Sequence, residues 1–169
     1  DNPVRRTFEH IKTNKMNRIG LDKKSSEITV NGLNTLLANY QVLYMNTRGF
    51  HWNIKGRDFF ELHAKFEELY TDLQEKIDEI AERILTLGLR PDHNYSTYLA
   101  KSTIKEAVNV SNGEQAVEHL LEALKTLLTL QRDILQDGSE SSDEGTAALM
   151  SDYIREQEKL VWMYSSFLA

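Results

Sequence analysis

Residues 62–91 read LHAKFEELYTDLQEKIDEIAERILTLGLRP. Within this stretch Leu62, Phe66, Leu69, Leu73, Ile77, Ile80, Ile84 and Leu87 recur at intervals of three and four, which places them on one stripe of an α-helix. The positions between them are mostly acidic, basic or amide residues, so this helix offers one face to a core and the rest to water. It stops at Gly88, with Pro91 just beyond, an ending that helices commonly use because glycine can turn the chain and proline cannot continue it. A long helix with a single apolar stripe needs other helices to cover it.

Those helices can be read on either side. Upstream, Leu33, Leu36, Leu37, Tyr40, Leu43, Tyr44 and Phe50 define a first helix, opening at Ser25 or Ser26, either of which can cap its free N–H groups. Residues 1–24 are polar and weakly patterned and read as a tail. Downstream, residues 92–111 form a long connection holding a short helix around Thr97–Lys101; a connection of that length marks a crossover or a functional segment. A third helix starts near Asn112 and carries Val117, Leu120, Leu121, Leu124, Leu127, Leu128, Ile134 and Leu135 as far as Gly138. Ser141-x-x-Glu144 has the pattern of a capping box and opens a fourth helix through Ala147, Met150, Ile154, Val161, Tyr164 and Leu168. There is no strand alternation and no internal repeat. The predicted fold is all-α: a four-helix bundle over residues 25–169, with a short extra helix between the second and third long ones.

Composition narrows the function. The 169 residues contain no cysteine, which removes disulfides, thiolate metal sites and a cysteine nucleophile. No run approaches the roughly 20 apolar residues of a membrane helix, so no membrane partner is expected. The N-terminus lacks the apolar block of a signal peptide, so a cytoplasmic location is expected. The net charge of −6 is unevenly spread: the tail through Lys24 has a net +4, with Arg5, Arg6, Lys12, Lys15, Arg18, Lys23 and Lys24 against Asp1, Glu9 and Asp22. The acidic body argues against a nucleic-acid binder, whereas the tail could contact phosphates.

The second helix carries a further stripe. At about 100° per residue, with His63 at zero, Glu67 falls near 40°, Asp78 near 60° and Glu82 near 100°, away from an apolar stripe centred near 275°. His51, at the end of the first helix, is a fifth candidate. Imidazole with carboxylates suits iron, and also zinc or manganese. However, fifteen residues separate His63 from Asp78, roughly 22 Å of helix, whereas metal–ligand bonds are about 2 Å. One chain cannot close one site with both pairs. Two copies of this helix, antiparallel about a two-fold between Asp72 and Leu73, would set His63 against Glu82 and Glu67 against Asp78. Two identical sites then form, each split between subunits. A metal pair inside a single bundle would use Glu-x-x-His, and none of the five histidines has Glu three residues before it.

These residues carry a family resemblance. His51-Trp52-x-Ile54-x-Gly56 followed by Leu62-His63-x-x-x-Glu67, and then Ile77-Asp78-x-Ile80-Ala81-Glu82-Arg83 with Leu87-Gly88 and Pro91, resemble the two signatures of the Dps family, which are mini-ferritins. The resemblance implies a ferritin-like bundle and a hollow dodecamer built from two-fold dimers. It also implies inter-subunit di-iron ferroxidase sites that oxidise Fe2+ with hydrogen peroxide, and ferric mineral stored inside. By the same resemblance the ligands are His51, His63 and Glu67 of one subunit with Asp78 and Glu82 of its partner. Glu67 departs from the family, which more often has Asp there, and its extra methylene puts the second metal position in doubt. The family also includes DNA binders that work through basic tails, which would associate the protein with the nucleoid.

Several features keep two readings. Trp52 is either packing beside the site or a one-electron donor during peroxide reduction. Glu68, Asp72, Glu75 and Glu79 form either a solvated face or a mineral-nucleating lining. Asp133, Asp137, Glu140, Asp143 and Glu144 are either a pore approach or a solvated turn. Phe8, Ile11, Met16, Ile19 and Leu21 would let the tail dock on the body instead of reaching for DNA. His10, His93 and His119 lack matching partners. For the whole molecule the alternatives are a nucleoid-compacting shell with little metal chemistry, and an oxygen-activating di-metal enzyme. The last would need an apolar substrate pocket in the bundle, and the ligand stripe points away from the core.

Overall fold

The computed structural model describes residues 15–169, and its first long helix, α1, spans Lys23–Asn53. It begins two residues before Ser25. Asp22 is the cap, its carboxylate accepting from the Ser25 N–H at 2.9 Å, so Ser25 and Ser26 lie inside the first turn. Asp wins because its acceptor is charged and sits at the positive end of the helix dipole. That bond from Ser25 is also the main reason the Asp22 carboxyl titrates below its ordinary value.

Helix α2 spans Phe59–Thr86 and buries Leu62, Phe66, Leu69, Leu73, Ile80 and Ile84, with Ile77 partly covered. Each fully buried side chain of this kind stabilises by about 1.5–3 kcal/mol. The helix stops at Leu87, and Gly88 takes φ 88°, the left-handed conformation that glycine adopts without a Cβ clash. A short helix, α3, covers Tyr95–Lys101 and so starts before Thr97. Helix α4 (Gly113–Glu140) is capped by Asn112, which accepts from Gln115 N–H at 2.9 Å.

The last helix, α5 (Glu144–Leu168), corrects the expected capping box. Ser141 closes α4 with bonds to the carbonyls of Asp137 and Gly138, and Asp143 caps α5 by accepting from Thr146 N–H. Asp143 is also bound by Arg83 at 2.6 Å, and Arg83 Nε donates to Thr146 Oγ1, tying the end of α2 to the start of α5. A Cβ on Gly145 would lie 2.8 Å from this guanidinium, so glycine is needed for the approach.

Helices α1, α2, α4 and α5 enclose one core, and no strand is present among the described residues. A closed polar ring lies inside it. Tyr40 Oη donates to Gln131 Oε1 at 2.6 Å, Gln131 Nε2 to Gln157 Oε1 at 2.8 Å, and Gln157 Nε2 back to Tyr40 Oη at 2.7 Å. All three residues are fully buried, and every member both gives and takes a bond, so the ring avoids the penalty of orphaned polar groups.

The long crossover is fastened by three asparagines of α1. Asn34 accepts from Asp92 N–H and donates to Arg90 C=O. Asn39 Oδ1 accepts from the N–H groups of Thr103 and Ile104 and from the Ser102 hydroxyl. Asn46 donates to Lys105 C=O and accepts from Ala107 N–H. At the other end, residues 15–22 turn back on the body, where Asn17 donates to Ser26 Oγ and Leu87 C=O. Ile19 stays exposed and Leu21 packs against the core; Phe8 and Ile11 lie outside the described residues.

Candidate metal centre

The α1–α2 hairpin brings two of the candidate ligands together. Gly56, at φ 108°, turns the chain between the helices, while Ile54 and Leu62 are buried and hold the corner against the core. This sets His51 in the last turn of α1 beside His63 in the second turn of α2. Their rings are stacked, with centroids 3.8 Å apart and planes 15° from parallel. His51 Nδ1 lies 2.7 Å from the His63 carbonyl, and His63 Nδ1 lies 2.8 Å from the His51 carbonyl. Since a carbonyl only accepts, each Nδ1 must carry the hydrogen. In the neutral rings this leaves an Nε2 lone pair on the far side of each, the tautomer that a metal requires. The His51 carbonyl is available because α1 ends there, so His63 satisfies a helix-terminal acceptor.

Aromatic rings brace the pair. Phe59 stacks on His63 at 5.1 Å and 21°, and Tyr70 meets His51 edge-on at 5.3 Å. The sequence reading did not single out either residue. Their spacing from His63, four residues before and seven after, is the helical signal that could have found them. His119 stacks on Phe50 instead, and His10 lies outside the described residues. Trp52 is 57% exposed, with the Arg48 guanidinium over its ring at 4.7 Å.

The carboxylates fall into two groups. Glu67, Asp78 and Glu82 are exposed, and none of their carboxylates has a hydrogen bond or ion pair among the described residues. The neighbouring acidic stripe is largely engaged: Glu68 with Lys65, Asp72 with Lys76, and Glu79 with Tyr153 Oη. Glu68, Glu75 and Glu79 remain exposed and Asp72 is half-buried, so these contacts sit on a face that is open to solvent in the single chain. The acidic junction is similarly divided: Asp143 is a buried cap, and Glu140 accepts from Gln136. Within one chain the two histidines meet, but Asp78 and Glu82 lie along α2 away from them. Among the described residues no three His, Asp or Glu side chains converge on one metal position.

A bundle with a long crossover between its second and third long helices, carrying its imidazoles at the first hairpin, defines the ferritin-like class of subunit. The family model described as a ferritin-like domain matches residues 30–169. The chain belongs to the Dps family within that class. It is 42% identical over 148 residues to a Porphyromonas gingivalis protein named DNA protection during starvation protein, covering 88% of this chain and 93% of that one. The crystal structure of a Vibrio cholerae Dps protein, described as a member of a broad superfamily of ferritin-like diiron-carboxylate proteins, superposes with a TM-score of 0.91. Its identity is 60%, over 92% of this chain and 98% of that one. A Bacillus brevis Dps structure gives a TM-score of 0.84 at 34% identity, over 86% and 98%.

Proposed function

We propose that this protein oxidises ferrous ion and stores the product, with hydrogen peroxide as the preferred oxidant. The observation that carries the reading is the reciprocal His51–His63 lock, which commits both Nδ1 atoms to carbonyls and leaves Nε2 as the ring atom turned outward for a metal. Glu67 of the same subunit, with Asp78 and Glu82 of a partner, completes the donor set when two copies of α2 pack antiparallel. This is a hard and borderline donor set suited to iron, with zinc or manganese as substitutes. Among the described residues the three carboxylates have no partner to lose, so a metal meets them there without first breaking an ion pair.

Iron is substrate here. Two ferrous ions and one peroxide, with two waters, give two ferric oxyhydroxide units and four protons. Carboxylates from both subunits offset the growing positive charge, and the histidines hold the ions at a fixed distance from the rings that brace them. The product collects in a hollow shell of twelve subunits assembled from two-fold dimers. Trp52 packs at the rim of the site.

The relatives' names also support a DNA-protecting role; we place it in the cytoplasm, with phosphate contacts through the basic N-terminal region. The deciding experiment adds stoichiometric Fe2+ with either peroxide or oxygen and follows the oxidation rate and the oxidant consumed. Rapid oxidation with one peroxide used per two irons is expected. Oxidation no faster than in buffer would leave the nucleoid-compacting shell as the better reading.

A further inference from the structure

Arg48 stands one helical turn before Trp52 and three residues before His51. Its guanidinium carbon lies 4.7 Å from the centre of the Trp52 ring, 5.5 Å from Tyr44 and 5.8 Å from Tyr70. Tyr70 in turn touches His51, so one ring separates this cation from a candidate ligand. Polar partners are scarce. Nη1 makes one long bond of 3.4 Å to Tyr44 Oη. Nε is the one buried side-chain polar atom without a partner among the described residues, where Arg48 also forms no ion pair. The guanidinium is therefore held mainly by π faces, and no carboxylate among the described residues cancels its charge.

A cation over an electron-rich face is attracted to the neutral ring. Removing an electron from that ring reverses the sign, because the resulting positive hole faces a positive charge across about 5 Å. Three oxidisable rings share this one cation beside a centre where peroxide is reduced. When ferrous ion gives peroxide a single electron, the O–O bond breaks to hydroxide and a hydroxyl radical. That radical becomes hydroxide by taking an electron either from a second ferrous ion or from a nearby ring. If the ring is Trp52, its N–H proton then leaves to water and a neutral indolyl radical remains.

We infer that Arg48 is a potential-setting residue: its charge makes Trp52, Tyr44 and Tyr70 harder to oxidise, so that the second electron comes from ferrous ion and not from the protein. Its biological purpose rests on the proposed iron chemistry, but its physical content does not, and it can be tested without iron. The assembled, metal-free protein is exposed to azidyl radical, which takes one electron from indole and leaves as azide. Oxidised Trp52 is then measured against oxidised Trp162 by peptide mass spectrometry. Trp162, 65% exposed on α5 with no cation over its ring among the described residues, is the internal reference.

Arg48→Gln should raise the Trp52-to-Trp162 ratio at least about fivefold, given the size of a cation–π contact. Arg48→Lys keeps the charge while shielding the ring less, and should stay within about twofold of the native ratio. An unchanged ratio in Arg48→Gln overturns the inference. So does a rise in Arg48→Lys as large as in Arg48→Gln, since shielding and not charge would then be the cause. Failure of iron oxidation in the native protein would sink the proposed function and leave these outcomes readable.

Discussion

His51 and His63 each donate from Nδ1 to the other's main-chain carbonyl, at 2.7 and 2.8 Å, so that neither ring can turn without freeing a bond in the other residue. The lock makes the histidine pair a rigid product of the hairpin, formed before any metal or partner arrives. The two carboxylates that the proposed site adds, Asp78 and Glu82, stand roughly 22 and 28 Å further along α2 in the same chain.

Complementation between subunits tests that division. His51→Ala/His63→Ala and Asp78→Ala/Glu82→Ala should each give nearly inactive homo-oligomers. In a refolded equal mixture, about half the dimer interfaces pair unlike subunits. Each of these regains one of its two sites, so about a quarter of native iron-oxidation rate should return. No recovery, with mixed dimers demonstrated by mass spectrometry, would mean that the site is not shared.

The crossover gives a stability prediction. Asn39 is fully buried and its Oδ1 serves two backbone N–H groups. Asn39→Ala should lower unfolding free energy by about 2–4 kcal/mol, because those donors lose their acceptor in a buried setting. Urea denaturation of the variant gives the number, and a loss within experimental error of zero would show that water replaces the amide.

Alkaline pH should unfold the protein for a definite reason. Burial pushes the Tyr164 phenol up to about 12, and it pushes Tyr40 and Tyr153 higher still, with the Glu79 carboxylate adding to the effect at Tyr153. Burial alone would lower Lys76, but its bonds to Asp72 and Glu156 prevail and raise it. For all four, the folded state holds the proton more tightly than the unfolded chain. Their contribution is complete below about pH 10, the ordinary phenol value, and is lost as pH rises beyond it. Phenolate absorbance from these tyrosines should appear together with loss of the helical circular-dichroism signal, and Tyr164→Phe should weaken that coupling.

DNA binding, if it is electrostatic, should depend on residues at the edge of the body. Of the basic residues in the N-terminal region, Lys15, Arg18, Lys23 and Lys24 are exposed, the first two just before α1 and the last two in its first turn. Replacing these four with Gln should weaken gel shifts and flatten the salt dependence by up to about 3–4 in log–log slope. Removing residues 1–14 alone, which leaves the Asp22 cap and the Asn17 anchor in place, should matter much less. The opposite ranking would assign the contact to residues 1–14.

The bundle was legible because its signal is repetitive. Eight apolar residues at intervals of three and four on α2 cannot all be accidental, and Gly88 stops the helix where the pattern does. Helix starts were harder to read, because several side chains compete for the same N–H groups. Asp22 outbid Ser25 and Ser26, and Asp143 outbid Ser141, in both cases as the charged acceptor. The histidines and carboxylates of the candidate site stood out by type and spacing. Nothing in a sequence, however, marks a ring nitrogen bonded to a carbonyl twelve residues away, nor an asparagine that grips a backbone about sixty residues on. Such contacts exist only once the hairpin and the crossover have closed.

Asn34 and Asn46 have a further consequence, since the atoms they grip in the crossover are main-chain atoms alone. Glu106 sits between the two groups that Asn46 holds, and Val108 is 73% exposed just beyond. The path of this segment is thus specified from α1, while the identity of its outward side chains is left open. A recognition signal written into positions 106 and 108, on either side of the inward-packed Ala107, would be displayed at a fixed angle on every copy of the chain, as an epitope on a scaffold that does not need to read it.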